Sequence, residues 1–90
     1  MKPLRIAGQY RKDLRLMQSR GYDLDKLAKV VDQLRQRIPL SPIYDDHPLK
    51  GEWQGFRDCH IQGDWLLIYR LEEDNTLALV RTGTHSDLFE

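Results

Sequence analysis

Three histidines stand out as residues that could do chemistry, and all of them lie in the second half of the chain. His47 falls in a long loop, His60 near the end of a predicted strand, and His85 just after another. An unperturbed imidazole titrates near pH 6.5, so it can accept or donate a proton at neutral pH. Edge positions of separate segments can converge on one side of a sheet, which would allow the three side chains to share a site.

Charged neighbours accompany the histidines. Asp58 and Asp64 lie close to His60 in the sequence, and Arg81 lies in an otherwise apolar strand segment four residues before His85. An arginine late in an apolar strand either pairs with a carboxylate or binds an anion. Composition does not choose between these two uses of Arg81.

Three interpretations of the histidines compete. A zinc site often contains a short-range pair such as His-x-x-x-His, whereas the separations here are 13 and 25 residues, so the spacing gives a metal site no support. For any single histidine, a local structural role is the simplest interpretation. Metal-free cleavage of RNA through its 2′-hydroxyl would instead need a base, an acid and a cation near the phosphate, which histidine and arginine can supply. Spacing alone leaves the second and third interpretations open.

Two helices and a strand precede these residues. Residues 4–6 form a short apolar start that could be a strand, and Tyr10, Leu14 and Met17 mark the apolar side of a helix that Gly21 ends. Asp23 is the predicted N-cap of a second helix, in which apolar residues recur as far as Ile38 and which Pro39 stops. Two such helices, each with one apolar face, require a flat surface to cover.

A loop and three strands follow. Residues 39–54 have no sustained periodicity, and a loop of this length in a small domain is more often functional than idle. Residues 56–61, 65–71 and 76–82 predict an antiparallel meander whose middle strand is apolar on both faces and therefore central. Thr84 and Asp87 resemble a one-turn capping arrangement in the tail.

The 90-residue length predicts a single domain, residues 1–90, with one core. A lone Cys59 cannot form an internal disulfide, no apolar run is long enough to span a membrane, and the N-terminus lacks a signal-peptide pattern. We therefore expect a cytoplasmic protein without a membrane partner. The net charge is zero, but residues 1–37 carry ten Lys/Arg and four Asp, a net of +6, and residues 38–90 carry −6. This division is either the solvated faces of helices or a sign of a polyanionic partner.

Four ordered blocks of the sequence closely resemble the YafQ family of bacterial toxins, which are mRNA interferases of the RelE/ParE superfamily. The blocks are residues 44–51 (YDDHPLKG), 55–61 (GFRDCHI), 64–69 (DWLLIY) and 81–89 (RTGTHSDLF). The resemblance implies a RelE-like α+β fold, in which an N-terminal helical hairpin packs on a small twisted antiparallel sheet. It also implies a type II toxin that cleaves mRNA in the ribosomal A site by attack of the 2′-hydroxyl, with no metal and no cofactor.

Site residues and partners are implied by the same resemblance. The residues matching the family's active-site positions are His47, His60, Asp64 and His85, with Arg81 as a phosphate contact and Phe89 as a stacking or positioning residue. His85 is expected to be the general acid, His47 or Asp64 to help activate the 2′-hydroxyl, and His60 to support the phosphate. The expected partners are a cognate antitoxin protein, the 70S ribosome with its mRNA, and ribosomal RNA contacted by the basic N-terminal helices.

Two other functions remain open. A ParE-like toxin would share the fold and inhibit DNA gyrase without cutting RNA, but it has no need of the three histidines together. A degenerate relative would only bind an antitoxin, although every matched site position is filled here. Asp58 is expected to be structural, either orienting a histidine or pairing with Arg57. Trp65 and Cys59 are predicted to be core residues.

Overall fold

The computed structural model describes residues 3–89, which form one mixed sheet with helices on it. The helices are α1 (Gly8–Ser19), α2 (Leu24–Arg35) and the short α3 (His85–Phe89). The strands are β1 (Leu4–Ile6), β2 (His47–Pro48), β3 (Arg57–Gln62), β4 (Trp65–Leu71) and β5 (Leu77–Thr84), in the spatial order β1-β5-β4-β3-β2. The α+β class and the antiparallel meander of β3, β4 and β5 are therefore confirmed.

Two features of the sheet go beyond the meander. β1 pairs in parallel with β5, so the sheet is mixed rather than wholly antiparallel. β2 is only two residues long and pairs His47 with Asp58, and Pro48 with Arg57. The loop before β3 thus contributes an edge strand that could not be predicted from its sequence, because a two-residue strand is too short to show a periodic pattern.

Each of the two long helices has a hydrogen-bonded cap, at the C-terminus of α1 and at the N-terminus of α2. Gly21 follows α1 with φ of 85°, and the N–H of Tyr22 donates to the carbonyl of Met17, which closes the turn as predicted. Asp23 caps α2 through a hydrogen bond from the N–H of Asp25, also as predicted.

The predicted end of α2 was wrong. The helix stops at Arg35 rather than at Pro39, because Arg37 adopts a left-handed conformation with φ of 60°. The N–H of Ile38 then donates to the carbonyl of Gln33, and the N–H of Arg37 to that of Leu34, which completes the cap without a glycine. Ile38, predicted to extend the apolar face, is instead exposed.

The core is divided by the sheet. The larger cluster lies between the sheet and the two long helices and includes Met17, Leu27, Trp65 and Tyr69. The smaller cluster lies on the opposite face, where Leu66, Ile68 and Leu88 are joined by apolar residues of the loop before β3. β4 is buried from Trp65 to Tyr69 and has a strand on each side, so its predicted central position is confirmed. None of the helices in residues 3–89 is long and apolar enough to cross a bilayer.

Candidate active site

Strand register brings the three histidines together. His47 lies opposite Asp58 across β2 and β3, and His60 lies opposite Leu66 across β3 and β4. Leu66 in turn pairs with Gly83, two residues before His85. Asp58 and His60 alternate with buried Cys59, so they lie on the sheet face that carries the smaller cluster rather than the helix-covered face.

The imidazole rings form a row with His60 in the middle. The ring centroids of His47 and His60 are 6.5 Å apart, and those of His60 and His85 are 5.7 Å apart. The side chain of His60 is half-buried, whereas those of His47 and His85 are more exposed. The three histidines therefore converge in the structure, and each ring has a carboxylate beside it.

His85 is held by Asp64, as the turn between β3 and β4 approaches the start of α3. Nδ1 of His85 contacts Oδ1 of Asp64, and the backbone N–H of His85 donates to the same oxygen at 3.3 Å. The bond from the His85 ring lowers the pKa of the Asp64 carboxyl below its ordinary value. Nε2 of His85 makes no hydrogen bond within residues 3–89, and more than half of the side chain is exposed.

His47 has an oxygen acceptor on each side of its ring. Nδ1 lies 2.6 Å from the carbonyl oxygen of Asp45, and Nε2 lies 3.0 Å from Oδ1 of Asp58. The Asp58 carboxyl is buried, and within residues 3–89 no other partner reaches that Oδ1; the contact from His47 is close, but its angle is not that of a hydrogen bond. Burial raises the pKa of Asp58, and the nearby charge of His47 opposes that rise.

Two acceptors cannot both face a neutral imidazole without one repulsive contact, since a neutral ring carries only one N–H. His47 has an acceptor near each ring nitrogen, and Asp58 supplies one of them. Of the two structural roles expected for Asp58, the contact with a histidine is the observed one.

Asp45 is a site residue that the sequence did not single out. Its Oδ2 lies 3.6 Å from Nε2 of His60 and 3.8 Å from Nδ1 of His47, so it stands between the two rings. Asp45 follows a 3₁₀ turn (Pro42–Tyr44) and has a left-handed backbone with φ of 49°, which Asp tolerates better than most residues. Its position two residues before His47 was the signal in the sequence that could have identified it. The 3₁₀ turn is what directs its carboxylate toward the two histidine rings.

A network on the other face of β3 holds this loop. The hydroxyl of Tyr69 donates to Oδ1 of Asp46 at 2.6 Å, and Nε of Arg57 donates to the same oxygen at 3.3 Å. Asp46 lies between Asp45 and His47 in the chain, so anchoring it fixes both of its neighbours on the site.

Arg81 is paired with a carboxylate. Its Nε and Nη2 donate to the two oxygens of Asp13 in α1, at 2.7 and 3.2 Å. The N–H of Thr82 and the amide of Gln9 also donate to Asp13, whose side chain is buried. Of the two uses predicted for this arginine, the structure shows the first. A phosphate contact by Arg81 stays a prediction, and Nη1 is the nitrogen left for it.

Aromatic side chains and α3 complete the wall of the site. The ring of Phe89 lies 6.1 Å from that of His85 and 6.3 Å from that of Trp53, and it is exposed enough to meet a ligand. α3 is fixed by Asp87, which accepts from the N–H of Thr84 at 3.0 Å and from Arg20 at 2.7 Å. The predicted Thr84–Asp87 cap is thereby confirmed, and it sets the direction of His85.

Cys59 and Trp65 lie in the core, as predicted. Burial raises the pKa of the Cys59 thiol, so it is not a nucleophile at neutral pH. Nε1 of Trp65 donates to the hydroxyl of Thr82 at 2.8 Å. Within residues 3–89, no three His, Cys, Asp or Glu side chains are grouped closely enough to hold one metal ion.

The site thus consists of imidazole–carboxylate pairs on the open face of a RelE-like α+β domain. Comparison with known proteins identifies the family. The sequence model of the YafQ family, which is described as a bacterial toxin of a type II toxin–antitoxin system, matches residues 2–90. The chain therefore belongs to this family.

Individual relatives agree over nearly their whole length. The chain is 45% identical over 89 residues to the mRNA interferase toxin YafQ of Escherichia coli strain K12, covering 98% of this chain and 96% of that protein. The YafQ chain in a crystal structure of the E. coli DinJ–YafQ complex matches with a TM-score of 0.90 at 41% identity, with all of both chains covered. A metal-bound toxin from Helicobacter pylori matches with a TM-score of 0.92 at 46% identity, covering 99% of this chain and 100% of that one.

Proposed function

We propose that this chain is a ribosome-dependent endoribonuclease, the toxin of a type II toxin–antitoxin system, which cuts mRNA in the A site and so inhibits translation. The observation that carries the proposal is the row of three imidazoles, each beside a carboxylate, on an exposed face. Membership of a family with an mRNA interferase as a relative supports the same reaction. The whole chain, residues 1–90, acts as one toxin domain in the bacterial cytoplasm.

The reaction is attack of the 2′-hydroxyl oxygen on the neighbouring phosphorus, which forms a 2′,3′-cyclic phosphate and releases the 5′-oxygen of the next nucleotide. A base takes the 2′ proton, and an acid protonates the leaving oxygen. Charge that builds up on the phosphate oxygens needs a cationic or hydrogen-bonding partner. The steps balance without a water molecule, a metal or a cofactor.

His85 is assigned as the general acid. Asp64 binds its Nδ1, which leaves Nε2 exposed toward a substrate and stabilises the ring when it is protonated. Phe89, whose ring lies 6.1 Å away, is placed to stack on the base next to the leaving oxygen.

Asp64 is the better of the two candidates for the base. Oδ2 of Asp64 accepts no hydrogen bond within residues 3–89, whereas both nitrogens of His47 already face acceptors. The lowered pKa of Asp64 makes it a weak base but keeps it ionised at any pH at which ribosomes are active.

His60 and His47 are assigned to the phosphate. His60 occupies the centre of the row with His47 beside it, so its ring is placed to donate a hydrogen bond to a phosphate oxygen. Arg81 would contribute only through Nη1, because Asp13 binds the rest of its guanidinium.

Two macromolecular partners complete the proposal. The E. coli relative forms a complex with DinJ, which supports an antitoxin partner for this chain. The ribosome is required because carboxylates surround the histidines and little positive charge is present to hold free RNA. The basic N-terminal helices are proposed to contact ribosomal RNA, chiefly through Arg11, Lys12 and Arg15 of α1.

The test compares mRNA on programmed ribosomes with the same mRNA free in solution. Purified toxin is expected to cut the ribosome-bound message within codons and to leave the free message largely intact. Efficient cleavage of free RNA would contradict ribosome dependence. A His85→Ala protein that remained fully toxic in cells would favour the ParE-like alternative, since gyrase inhibition does not need the histidine.

A further inference from the structure

A cavity adjoins the site at His60. It has a volume of about 610 Å³ and lies between α2, the Pro42–Tyr44 turn and the end of β3. Its walls include Lys26, Lys29, Ile43, Tyr44 and Gln62, and it shares His60 with the imidazole row. The cavity therefore continues the site rather than forming a separate pocket.

The edge of β3 makes this continuity possible. β2 pairs with β3 only at Arg57 and Asp58, so from Cys59 to Gln62 the edge of β3 that faces away from β4 has no strand beside it within residues 3–89. A flexible chain placed across the imidazole row can pass this edge and enter the cavity.

The charge of the cavity differs from that of the imidazole row. Lys26 and Lys29 are three residues apart on α2 and therefore lie on one side of the helix. Nζ of Lys26 donates to Oε1 of Gln62 at 2.8 Å, but this amide leaves the positive charge uncompensated. The structure gives Lys29 no hydrogen bond or ion pair within residues 3–89, and none of the residues lining the cavity is acidic.

An apolar shelf lies opposite the lysines. Ile43 is 81% exposed, an unusual position for a large aliphatic side chain, and the next residue, Tyr44, is half-buried against the core. A base can rest on an apolar or aromatic surface while its phosphate meets lysines, which is how single-stranded nucleic acids are held without regard to sequence.

We propose that this cavity binds one mRNA nucleotide that flanks the scissile bond, with its phosphate against Lys26 and Lys29 and its base on Ile43 and Tyr44. The proposal rests on the proposed function and extends it, because it names a second contact with the same substrate. The cavity volume lies within the range of pockets that hold small ligands, so it is large enough for a nucleotide. Contact there would raise affinity without taking part in proton transfer.

The test measures KM and kcat for cleavage on programmed ribosomes with two messages. One is intact, and the other carries abasic residues at the positions flanking the cut codon but keeps its phosphates. The exposed Ile43→Ser variant is expected to raise KM about threefold on the intact message and not on the abasic one. The K26Q/K29Q variant is expected to raise KM about tenfold on both messages, because both retain the phosphates, and to leave kcat within about twofold.

A third message, truncated so that the flanking nucleotides are missing, separates substrate contact from ribosome contact. On it, K26Q/K29Q and wild type should have the same KM, whereas lysines that bind ribosomal RNA would lose affinity equally on every message. The matched controls are Lys50→Gln for charge and Ile38→Ser for exposed apolar surface, and neither residue lines the cavity.

Equal losses on the truncated and intact messages would overturn the nucleotide site in favour of a ribosomal contact. An unchanged KM for both variants on the intact message would overturn it as well. A wild-type chain that cuts none of the messages would instead contradict the proposed function, and the site with it. Circular dichroism of each variant checks that the fold is retained.

Discussion

Two aspartates pair with nitrogen-bearing side chains that lie only four residues apart in the sequence, but one pair is buried and the other is exposed. Asp13 pairs with Arg81 in β5, and Asp64 pairs with His85 just after β5. The side chain of Asp13 is 8% exposed, whereas that of Asp64 is 58% exposed. Asp13 also accepts from Thr82 and Gln9, while Oδ2 of Asp64 accepts no hydrogen bond within residues 3–89.

This difference in exposure distinguishes a structural pair, Asp13–Arg81, from a candidate catalytic pair, Asp64–His85. A buried carboxylate with several donors is held in place, and removal of any partner costs stability because it leaves a buried polar group unpaired. An exposed pair with an unoccupied oxygen and an unoccupied ring nitrogen can exchange protons with a substrate. We therefore expect changes to the first pair to reduce stability and changes to the second to reduce activity.

The largest effect is expected from His85→Gln. Loss of the general acid should reduce single-turnover cleavage on ribosomes by a factor of at least about 100. The free energy of unfolding should change by less than about 0.5 kcal/mol, since the side chain is exposed. Ser86→Ala, at the exposed neighbouring position, serves as the matched control and should retain activity. Cleavage at the wild-type rate by His85→Gln would remove the acid from the mechanism.

Asp13→Asn should show the opposite pattern. It leaves the Arg81 guanidinium beside a neutral amide, and we expect a loss of about 2–3 kcal/mol in the free energy of unfolding, at the low end for buried pairs because Arg81 is partly exposed. Asp64→Asn provides the comparison and should leave the free energy of unfolding nearly unchanged, because the Asp64 side chain is exposed. Urea denaturation measures both. Equal costs for the two variants would mean that burial does not distinguish the pairs.

The pH dependence of cleavage sharpens the assignment of the base. With Asp64 as the base, whose pKa the His85 bond lowers, the rate should not fall as the pH drops from 7 to 5.5, because a lower pH favours the protonated form that a histidine general acid needs. A histidine base would instead lose its free form over this range, so the rate would pass through a maximum and then fall. The rate of the chemical step on pre-formed toxin–ribosome complexes is the quantity to measure. A fall in the rate toward pH 5.5 would transfer the role of base from Asp64 to His47.

The smallest effect concerns Asp87, which fixes the start of α3. The hydrogen bond from Arg20 holds the pKa of Asp87 well below its ordinary value. A carboxyl whose pKa is lower in the folded state contributes stability above its unfolded pKa and loses it as the pH falls below about 4. Because Arg20 is substantially exposed, Arg20→Gln should lower the stability only slightly at pH 7 and by less at pH 2. Thermal unfolding at the two pH values measures the difference, and an equal loss at both would contradict this origin.

Local signals sufficed for much of the fold. Asp23, Gly21 and the Thr84–Asp87 pair have the capping roles that their sequence positions predict, since caps depend on a few adjacent residues. The apolar pattern of β4 placed it at the centre of the sheet for the same reason. The end of α2 was missed because Arg37 takes the left-handed position that glycine usually occupies.

The sequence singled out the three histidines, Asp64 and Asp58, but it did not single out Asp45. Convergence of the imidazoles followed from their positions at element edges, but Asp45 depends on a left-handed turn and Asp58 on a two-residue strand. Neither feature leaves a periodic pattern. The partner of Arg81, Asp13, is 68 residues away in the sequence. The sequence therefore indicated that Arg81 binds an anionic group, but it did not identify that group.

The most direct test of the central claim is the chemistry and position of the RNA ends produced when this chain is induced in a bacterial host. Exposed imidazole–carboxylate pairs that promote 2′-hydroxyl attack should give breaks in phase with codons, with 2′,3′-cyclic phosphate on one fragment and a 5′-hydroxyl on the other. These ends should disappear with His85→Gln and when the antitoxin is co-expressed. Fragments with 5′-phosphate ends, or growth arrest without codon-phased breaks, would contradict the account.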